Sequence, residues 1–484
     1  MTRHLCVIGD ALLDRDVDGL VERVAPDAPV PVVDERSVKS RPGGAALAAA
    51  LAALDGREVT LVTALAEDEA GRTVASLLAR AGVDVVDLGS DARTPEKVRV
   101  CVSGRALLRL DRGGKRRGRI GSFSRAAEEA IARASALLVA DYGRGLTAER
   151  AVREAVGRAA ARAPVVWDPH PRGAPPVFGA RLVTPNLAES ARFSPDDADG
   201  SLPSLIARAE HLLDRWEVVG VCITLGARGA LLVGEGLHPL VVPAPKVHDG
   251  DPCGAGDRFA ATAAGALGDG ATPGEAVTSA VEAASCFVAA GGAVKAEIAA
   301  RFSSTTGPSL FEDMERRWSA RPRRALPERD VDAAELSRQV RALGGTVVAT
   351  GGCFDLLHPG HVSMLQAARA LGDCLVVCLN SDASVRRLKG PSRPVHTASA
   401  RRELLLALGC VDAVEIFDED DPRDALARIH PHVWVKAADY AHSELPEALD
   451  LSHWGGRAVV VPYRKDHSTT RLLEEVMRRA EESA

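Results

Sequence analysis

Between positions 5 and 225 short apolar runs recur: 5–9 (LCVIG), 59–65 (VTLVTAL), 137–141 (LLVAD), 164–168 (PVVWD), 181–185 (RLVTP) and 218–225 (VVGVCITL). Ala/Arg/Glu-rich stretches of helical character separate most of them. Strand–helix alternation of this kind predicts a parallel sheet covered on both faces. Two segments break the rhythm, 28–38 (APVPVVDERSV) and 96–111 (EKVRVCVSGRALLRLD). Their alternating, exposed character predicts a small lid sheet projecting from the main one. From about residue 346 a second α/β unit begins: a strand (TVVAT), the turn GGCFDLLHPGH, a helix, and a strand (CLVVCLN). AVEIF, HVWVK and AVVVPY read as later strands. In CLVVC, even spacing on a strand puts Cys374 and Cys378 on one face, as small buried hydrophobes.

The stretch 303–330 has Pro and Arg but no apolar period, and reads as a linker. Asp332, with Glu335 three residues on, marks a helix start in the manner of a capping box. Leu336, Val340 and Leu343 are expected on one face of that helix, and Gly344 ends it. A chain of 484 residues exceeds one ordinary core. The expected pieces are 1–305, a linker with connecting helix at 306–340, and 341–484.

Composition removes some function classes. A net charge of −6 gives no electrostatic case for nucleic acid or acidic membranes, and 4% aromatic residues argue against base-stacking platforms. The apolar stretch 45–54 (AALAAALAAL) falls short of a spanning helix. Asp10 arrives before a signal-peptide core could form, so the expected location is the cytoplasm. Nine cysteines without a C-x-x-C pair argue against a disulfide scaffold or a zinc ribbon.

The chemistry concentrates in two glycine turns. In DGDPCGAGDRF (249–259), Gly254 and Gly256 permit positive φ and close backbone approach, and amides at the helix start can hold an anion. Asp257 there is either a helix cap, worth roughly 1 kcal/mol, or a general base, worth ~10²–10⁴ in rate. Those four residues alone leave both readings open. In HPGH (358–361), a strand hands over to a helix start. His358 and His361 can donate to a developing pentavalent phosphate without a metal, and Gly360 lets a nucleotide approach. A zinc site from Cys353, His358 and His361 has possible spacing but no fourth ligand nearby. Helix-cap histidines without function are the plainest alternative.

GAGD, together with PGGAA (42–46), TPNLAE (184–189) and TLGARG (224–229), resembles the ribokinase-like carbohydrate kinases. That resemblance implies a three-layer α/β domain with a small β lid. It implies Asp257 as base, Gly254, Ala255 and Gly256 as anion hole, and Asn186 and Glu189 holding Mg²⁺ and phosphates. Thr224 and Gly226 fall in its nucleotide-proximal loop. Positioning and charge neutralisation are what phosphoryl transfer needs. VIGDALLDRDVDG, RVAPDAPVPV, RPGGAA, RLD (109–111) and ADYGRG (140–145) are similar to the kinase half of the bifunctional heptose 7-phosphate kinase/heptose 1-phosphate adenylyltransferases. By that likeness Asp10, Asp14, Gly43 and Gly44 face the sugar, and Arg23, Arg99 or Arg109 takes its phosphate. Two positions depart from the family: Leu47 stands for its usual Asn, and His170 for its Lys.

GCFDLLHPGHVSMLQAARALGD, VCLNSDASVRRLKGPSRPV, VWVKAADY and HSTTRLL resemble the H-x-G-H nucleotidyltransferases in their heptose adenylyltransferase form. The resemblance implies a Rossmann-like domain in which Phe354, His358, Gly360 and His361 cradle ATP. Lys389 would neutralise phosphates, with Asp439, Ser468, Thr469 and Thr470 near adenosine or phosphate. The chain has only eight Lys against 52 Arg, and Lys389 and Lys436 both fall in motif-bearing loops. Here Gly351, Ala437 and Ala438 are the departures. The expectation is two enzymes on one chain, using ATP and Mg²⁺ in both halves. One phosphorylates a heptose 7-phosphate at C1; the other makes ADP-heptose. Partners are small sugar phosphates, not nucleic acid or membrane, and lid strands pair two copies into a homodimer. The alternatives are the same architecture on another sugar phosphate, or a degenerate kinase half serving as a dimerising or sensing module.

Overall fold

The computed structural model describes residues 4–102, 105–113, 118–194, 200–236, 238–245, 247, 250–295, 332–437 and 446–462; the expected linker, Ala438, Asp439, Ser468, Thr469 and Thr470 lie outside them. The chain packs as two compact units, Met1–Pro195 with His211–Gly226 and Val247–Thr306, and Asp196–Glu210 with Ala227–Lys246 and Gly307–Ala484.

The first unit holds strands β1 (His4–Gly9), β2 (Ala11–Val24), β3 (Pro31–Gly44), β4 (Glu58–Thr63), β5 (Val83–Asp87), β6 (Glu96–Val102), β7 (Arg105–Arg112), β8 (Ala136–Ala140), β9 (Val165–Asp168), β10 (Leu182–Val183) and β11 (Gly220–Thr224). Seven of them form a parallel sheet in the order β11-β10-β9-β8-β1-β4-β5. β1 and β8 are buried at every position, so both faces of the sheet are covered, as the alternation predicts. From β1 the chain builds outward through β4 and β5, then returns to build the other side from β8. The order therefore reverses between β1 and β8, and crevices at such a point, outside the strands' carboxyl ends, are where open α/β sheets bind ligands. Gly9 pairs with Ala140 there, and a Cβ on Gly9 would meet the Ala140 carbonyl oxygen at 2.0 Å.

The lid is a four-stranded sheet in the order β3-β2-β6-β7. β2 is the strand that apolar runs did not reveal, because charges interrupt its apolar residues from Asp14 onward (LLDRDVDG, 12–19). Side chains alternate along a strand. Asp14 and Asp16 thus share one face of β2. Asp14 lies opposite Arg41 of β3 and Lys97 of β6, and Asp16 opposite Lys39 and Arg99. The lid presents a charged face by register alone.

The second unit has the antiparallel pair β12 (Ala230–Gly234) and β13 (Leu240–Val242), then β14 (Val347–Gly352), β15 (Cys374–Asn380), β16 (Ala413–Phe417), β17 (Val433–Ala437) and β18 (Arg457–Val461). The last five form a parallel run, β16-β15-β14-β17-β18, whose order reverses between β14 and β17. Cys374 and Cys378 are fully buried in its core with Trp434 and Leu426. Asp332 caps the helix Ala333–Ala342 by accepting the Glu335 N–H at 3.0 Å. Leu336 and Val340 are buried as expected, but Leu343 is 77% exposed. It sits at the C-cap, where the backbone leaves the helix before Gly344, so the heptad face no longer governs its direction. Among the described residues no helix is long and apolar enough to cross a membrane.

Candidate active sites

In the first unit a cavity of about 190 Å³ opens at the carboxyl ends of the strands, lined among others by Tyr142, Asp168, His170, Asn186, Glu189, Thr224, Gly254, Gly256 and Asp257. The fold thus gathers residues scattered over more than a hundred positions. Gly254 is the N-cap of the helix Ala255–Gly268 in the left-handed region (φ 83°), and no side chain caps that helix. Asp257 is its third residue and buried, and its carboxyl accepts its own backbone N–H in the first turn. It also accepts a hydrogen bond from the Tyr142 hydroxyl at 2.5 Å. Burial pushes its carboxyl up to about 7, against the opposing pull of Tyr142 and Lys97. A carboxyl poised near neutrality suits general base work. Ala255 follows the cap directly and turns its N–H back to the Pro252 carbonyl.

Asn186 caps the helix Leu187–Phe193 in a reciprocal box: its Oδ1 accepts from the Glu189 N–H, and Glu189 Oε2 accepts from the Asn186 N–H, both at 2.9 Å. Burial raises the Glu189 carboxyl, and burial with the Glu189 and Asp257 charges raises Asp168 well above the usual range. Thr224 lines the cavity and bridges to Asn186; Gly226 follows it with φ 60° and stays outside the lining.

The expected sugar ligands separate. Asp14 is buried on the inner part of lid strand β2, near Arg41 (3.8 Å) and Arg99 (3.7 Å), while Arg41 pairs tightly with Asp16. Arg99 also donates to the Cys253 thiol at 3.2 Å, tying the lid to the turn before Gly254. A Cβ on Gly43 would meet Leu12 at 2.4 Å and the Asp14 carboxylate at 3.0 Å, so glycine keeps this corner open. Gly44, at φ 62°, starts the helix Ala45–Leu54. Asp10 does not present a free carboxylate. Its oxygens accept the backbone N–H groups of Tyr142 (3.2 Å), Arg144 (2.9 Å) and Leu146 (3.3 Å), locking the turn after β8. Arg109 lies exposed on β7 in a forked pair with Asp111, and Arg23 is exposed on the outer part of β2; neither joins the cluster.

Both family departures have local explanations. Leu47 is buried with Leu51, Phe287 and Ala293. It packs under the Gly254 turn, where a Cβ on Gly254 would meet it at 2.8 Å. His170 accepts the Arg172 N–H on Nδ1 at 3.1 Å. Burial and the charges of Arg172, Arg192, Lys97 and Arg144 push it down to about 4, so it is a neutral imidazole within a ring of cations.

In the second unit a cavity of about 510 Å³ occupies the crossover of its sheet, lined by Gly352, Phe354, His361, Lys389, Arg393 and Lys436 among others. His358 is the N-cap of the helix Pro359–Arg369. The amide supply is thinner than a helix start usually gives. Pro359 has no N–H, and His361 turns its own back to the His358 carbonyl at 2.9 Å. Polar work at this end falls to the imidazoles, which stack with centroids 3.8 Å apart. Burial, with the charges of His358 and Lys389, pushes His361 down to about 4, against a hydrogen bond to the Leu356 backbone. Phe354 sits at φ 43°, uncommon for a bulky residue, with its ring 5.2 Å from that of His361. Gly360 is buried in the first turn of the helix. Cys353 does not join the histidines: its thiol faces Asn380 at 3.7 Å, and among the described residues no three His, Cys, Asp or Glu side chains are set to hold a metal.

Sequence reasoning passed over Tyr142, Lys97, Arg41, Asp168 and Arg401. The scarcity of lysine that marked Lys389 marks Lys97 equally well. Arg401 gave no signal among so many arginines. It is wholly buried, donating to Cys353 O (2.6 Å), Asn380 O (2.9 Å), His396 O (3.0 Å) and Asp382 (2.7 Å). Asp355 likewise holds the neighbouring loop through Val395 N–H, His396 N–H and Arg393.

A buried aspartate beside a glycine-started helix, under a charged lid, is the arrangement of a sugar kinase of the ribokinase-like class; stacked imidazoles at the crossover of a second parallel sheet are that of a nucleotidyltransferase. Residues 2–299 match the pfkB family carbohydrate kinases, and residues 349–475 match the cytidylyltransferase-like family. The chain is 53% identical over 471 residues to the bifunctional protein HldE of Streptomyces coelicolor, covering 97% of this chain and 96% of that one. It is 37% identical over 481 residues to HldE of Azorhizobium caulinodans, with 97% of each chain covered. A solved ribokinase of Arabidopsis thaliana, complexed with ribose and ATP, shares the fold at TM-score 0.50 and 20% identity, over 63% of this chain and 100% of that one. The chain belongs to the bifunctional HldE family, enzymes that join a carbohydrate kinase to a nucleotidyltransferase.

Proposed function

We propose that the two sites act in one route to an ADP-activated heptose. In the first, Asp257 takes the proton of the anomeric hydroxyl of a heptose 7-phosphate. The freed oxygen bonds to the γ-phosphorus of ATP, and ADP leaves. In the second, an oxygen of a sugar 1-phosphate attacks the α-phosphorus of a further ATP. The new P–O bond replaces the one to pyrophosphate, and His358 and His361 donate to the crowded phosphoryl oxygens while Lys389 neutralises the leaving group. The observation that carries the kinase reading is Asp257: buried, held by the Tyr142 hydroxyl, and poised near neutrality beside the Gly254 helix start.

Mg²⁺ fits the kinase cavity. Glu189 and Asp168 crowd each other there, a donor set short of positive charge. Asn186 and Glu189 would hold the ion, with phosphate oxygens and water as its other ligands, and it supplies charge neutralisation of the triphosphate. Arg41 and Arg99 on the lid are better placed than Arg109 or Arg23 to meet the substrate's existing phosphate. We further assign the enzyme to the cytosol, as a homodimer joined by its lids. The outer lid strand β7 exposes Leu107, Leu108 and Leu110, an apolar row that a second copy would cover.

The test is product analysis by mass spectrometry with ATP and heptose 7-phosphate or heptose 1-phosphate, for Asp257→Ala and His361→Ala in the full chain. Asp257→Ala is expected to lose sugar phosphorylation and keep adenylyl transfer; His361→Ala the reverse. If Asp257→Ala still phosphorylates the sugar at the wild-type rate, the kinase assignment fails.

A further inference from the structure

Tyr142 was not among the expected site residues, yet its hydroxyl is the side-chain donor held on the kinase base. Its backbone is fixed first. Asp10 accepts the N–H groups of Tyr142, Arg144 and Leu146, so the turn after β8 cannot drift. From that turn the phenol reaches Asp257 Oδ1 at 2.5 Å, the short separation of a hydrogen bond to a charged acceptor. Burial and the neighbouring Asp257 charge hold the phenol protonated far above neutrality, so it only donates to the base and never competes for the proton. On the other side, Lys97 of lid strand β6 places its ammonium 5.2 Å from the phenol ring centroid. A cation over the face of a tyrosine is attracted to the ring and makes its hydroxyl a stronger donor.

We propose that Tyr142 is the positioning residue of the kinase base: its hydroxyl fixes Oδ1 of Asp257 and leaves Oδ2 for the acceptor hydroxyl, while Lys97, carried by the lid, reinforces that bond. The proposal rests on Asp257 being the base. Other charged groups around Asp257 are Asp14 of β2 and, at the end of β9, Asp168 with Glu189 beyond it. All are acids, and each disfavours a second negative charge. Tyr142 and Lys97 are the side chains that favour the ionised base. The backbone N–H of Asp257 itself acts in the same direction. The lid thereby acquires a chemical role, since Lys97 reaches the ring only when β6 lies over the site.

The experiment is the pH dependence of sugar phosphorylation, kcat and KM separately, for full-length wild type, Tyr142→Phe, Lys97→Gln and Lys97→Arg, with adenylyl transfer measured on the same samples. Tyr142→Phe keeps the ring and removes one hydrogen bond to the carboxylate. We expect kcat at neutral pH to fall about tenfold or more, KM for the sugar phosphate to stay within about twofold, and the acid limb to move up by about one to two pH units. Lys97→Gln is expected to move the limb in the same direction, and Lys97→Arg to return it toward wild type. A merely structural tyrosine would lower kcat equally at every pH, and that result overturns the proposal, as does an unmoved limb. Wild-type adenylyl transfer certifies the chain; should Tyr142→Phe not fold, Lys97→Gln decides, and an unmoved limb there overturns the proposal. The base assignment fails separately, if Asp257→Ala still phosphorylates sugar.

Discussion

Replacing Asp257 by Asn should cost activity and return stability, and the stability gain should depend on pH in a defined direction. The ordinary carboxyl value is 3.8, and burial in the folded protein raises it to about 7. Between those values the folded state holds a proton that the unfolded chain has already lost. Stability from this group is therefore complete below the unfolded value and lost as pH rises through the folded one. At about 1.4 kcal/mol per pH unit, a rise from 3.8 to about 7 costs the empty enzyme ~4 kcal/mol once the group is ionised. Asn keeps an oxygen to accept from Tyr142 and removes the buried charge. The kinase unit of Asp257→Asn should then be more stable than wild type by about 1–2 kcal/mol near about pH 5 and by about 4 kcal/mol near about pH 8.5, while sugar phosphorylation falls ~10²–10⁴-fold. Stability lost to a functional group in this way is the familiar trade between activity and stability. Calorimetry of the full chain at both pH values, with the kinase transition identified by its shift on adding heptose 7-phosphate, measures it. An equal gain at both pH values, or a loss at both, would refute the reasoning, because the stabilisation would then not come from the charge.

Leu47→Asn restores the residue type usual in the family, yet the pocket under Gly254 is apolar; we expect a loss of about 2–3 kcal/mol in urea unfolding and weaker sugar phosphorylation, with adenylyl transfer intact. Arg401→Met leaves three backbone carbonyls and Asp382 without their donor, so adenylyl transfer and about 3 kcal/mol or more of stability should be lost in the second unit, while sugar phosphorylation persists. His361 carries the opposite linkage to Asp257: its value falls from 6.5 to about 4, so its contribution is present above 6.5 and lost as pH falls toward about 4. His361→Gln should accordingly flatten the acid-side decline of the second unit's thermal midpoint, read by fluorescence, and a decline identical to wild type counts against a neutral imidazole. Leu108→Asp on β7 should give monomers in light scattering if lids pair two copies; an unchanged dimer places the interface elsewhere.

The local signals in the chain were enough for most of the architecture. Runs such as LCVIG and CLVVC are apolar at successive positions because central parallel strands are buried on both faces, and that pattern survives in any context. GAGD and HPGH likewise carry their meaning locally, since glycine, proline and a helix start fix the backbone that follows. Tertiary structure alone decided which charged residues belong to a site. Asp10 and Asp14 are four positions apart in one polar stretch, yet one is spent on backbone amides and the other faces the lid's arginines. Arg109 and Arg99 are opposite each other on neighbouring strands, yet Arg99 reaches the Asp14 cluster while Arg109 pairs with Asp111 further out. The physical reason is that apolar burial averages over many residues and so leaves a periodic trace. A functional charge is selected by one or two contacts, between residues such as Tyr142 and Asp257, that only the crossing of distant strands brings within reach.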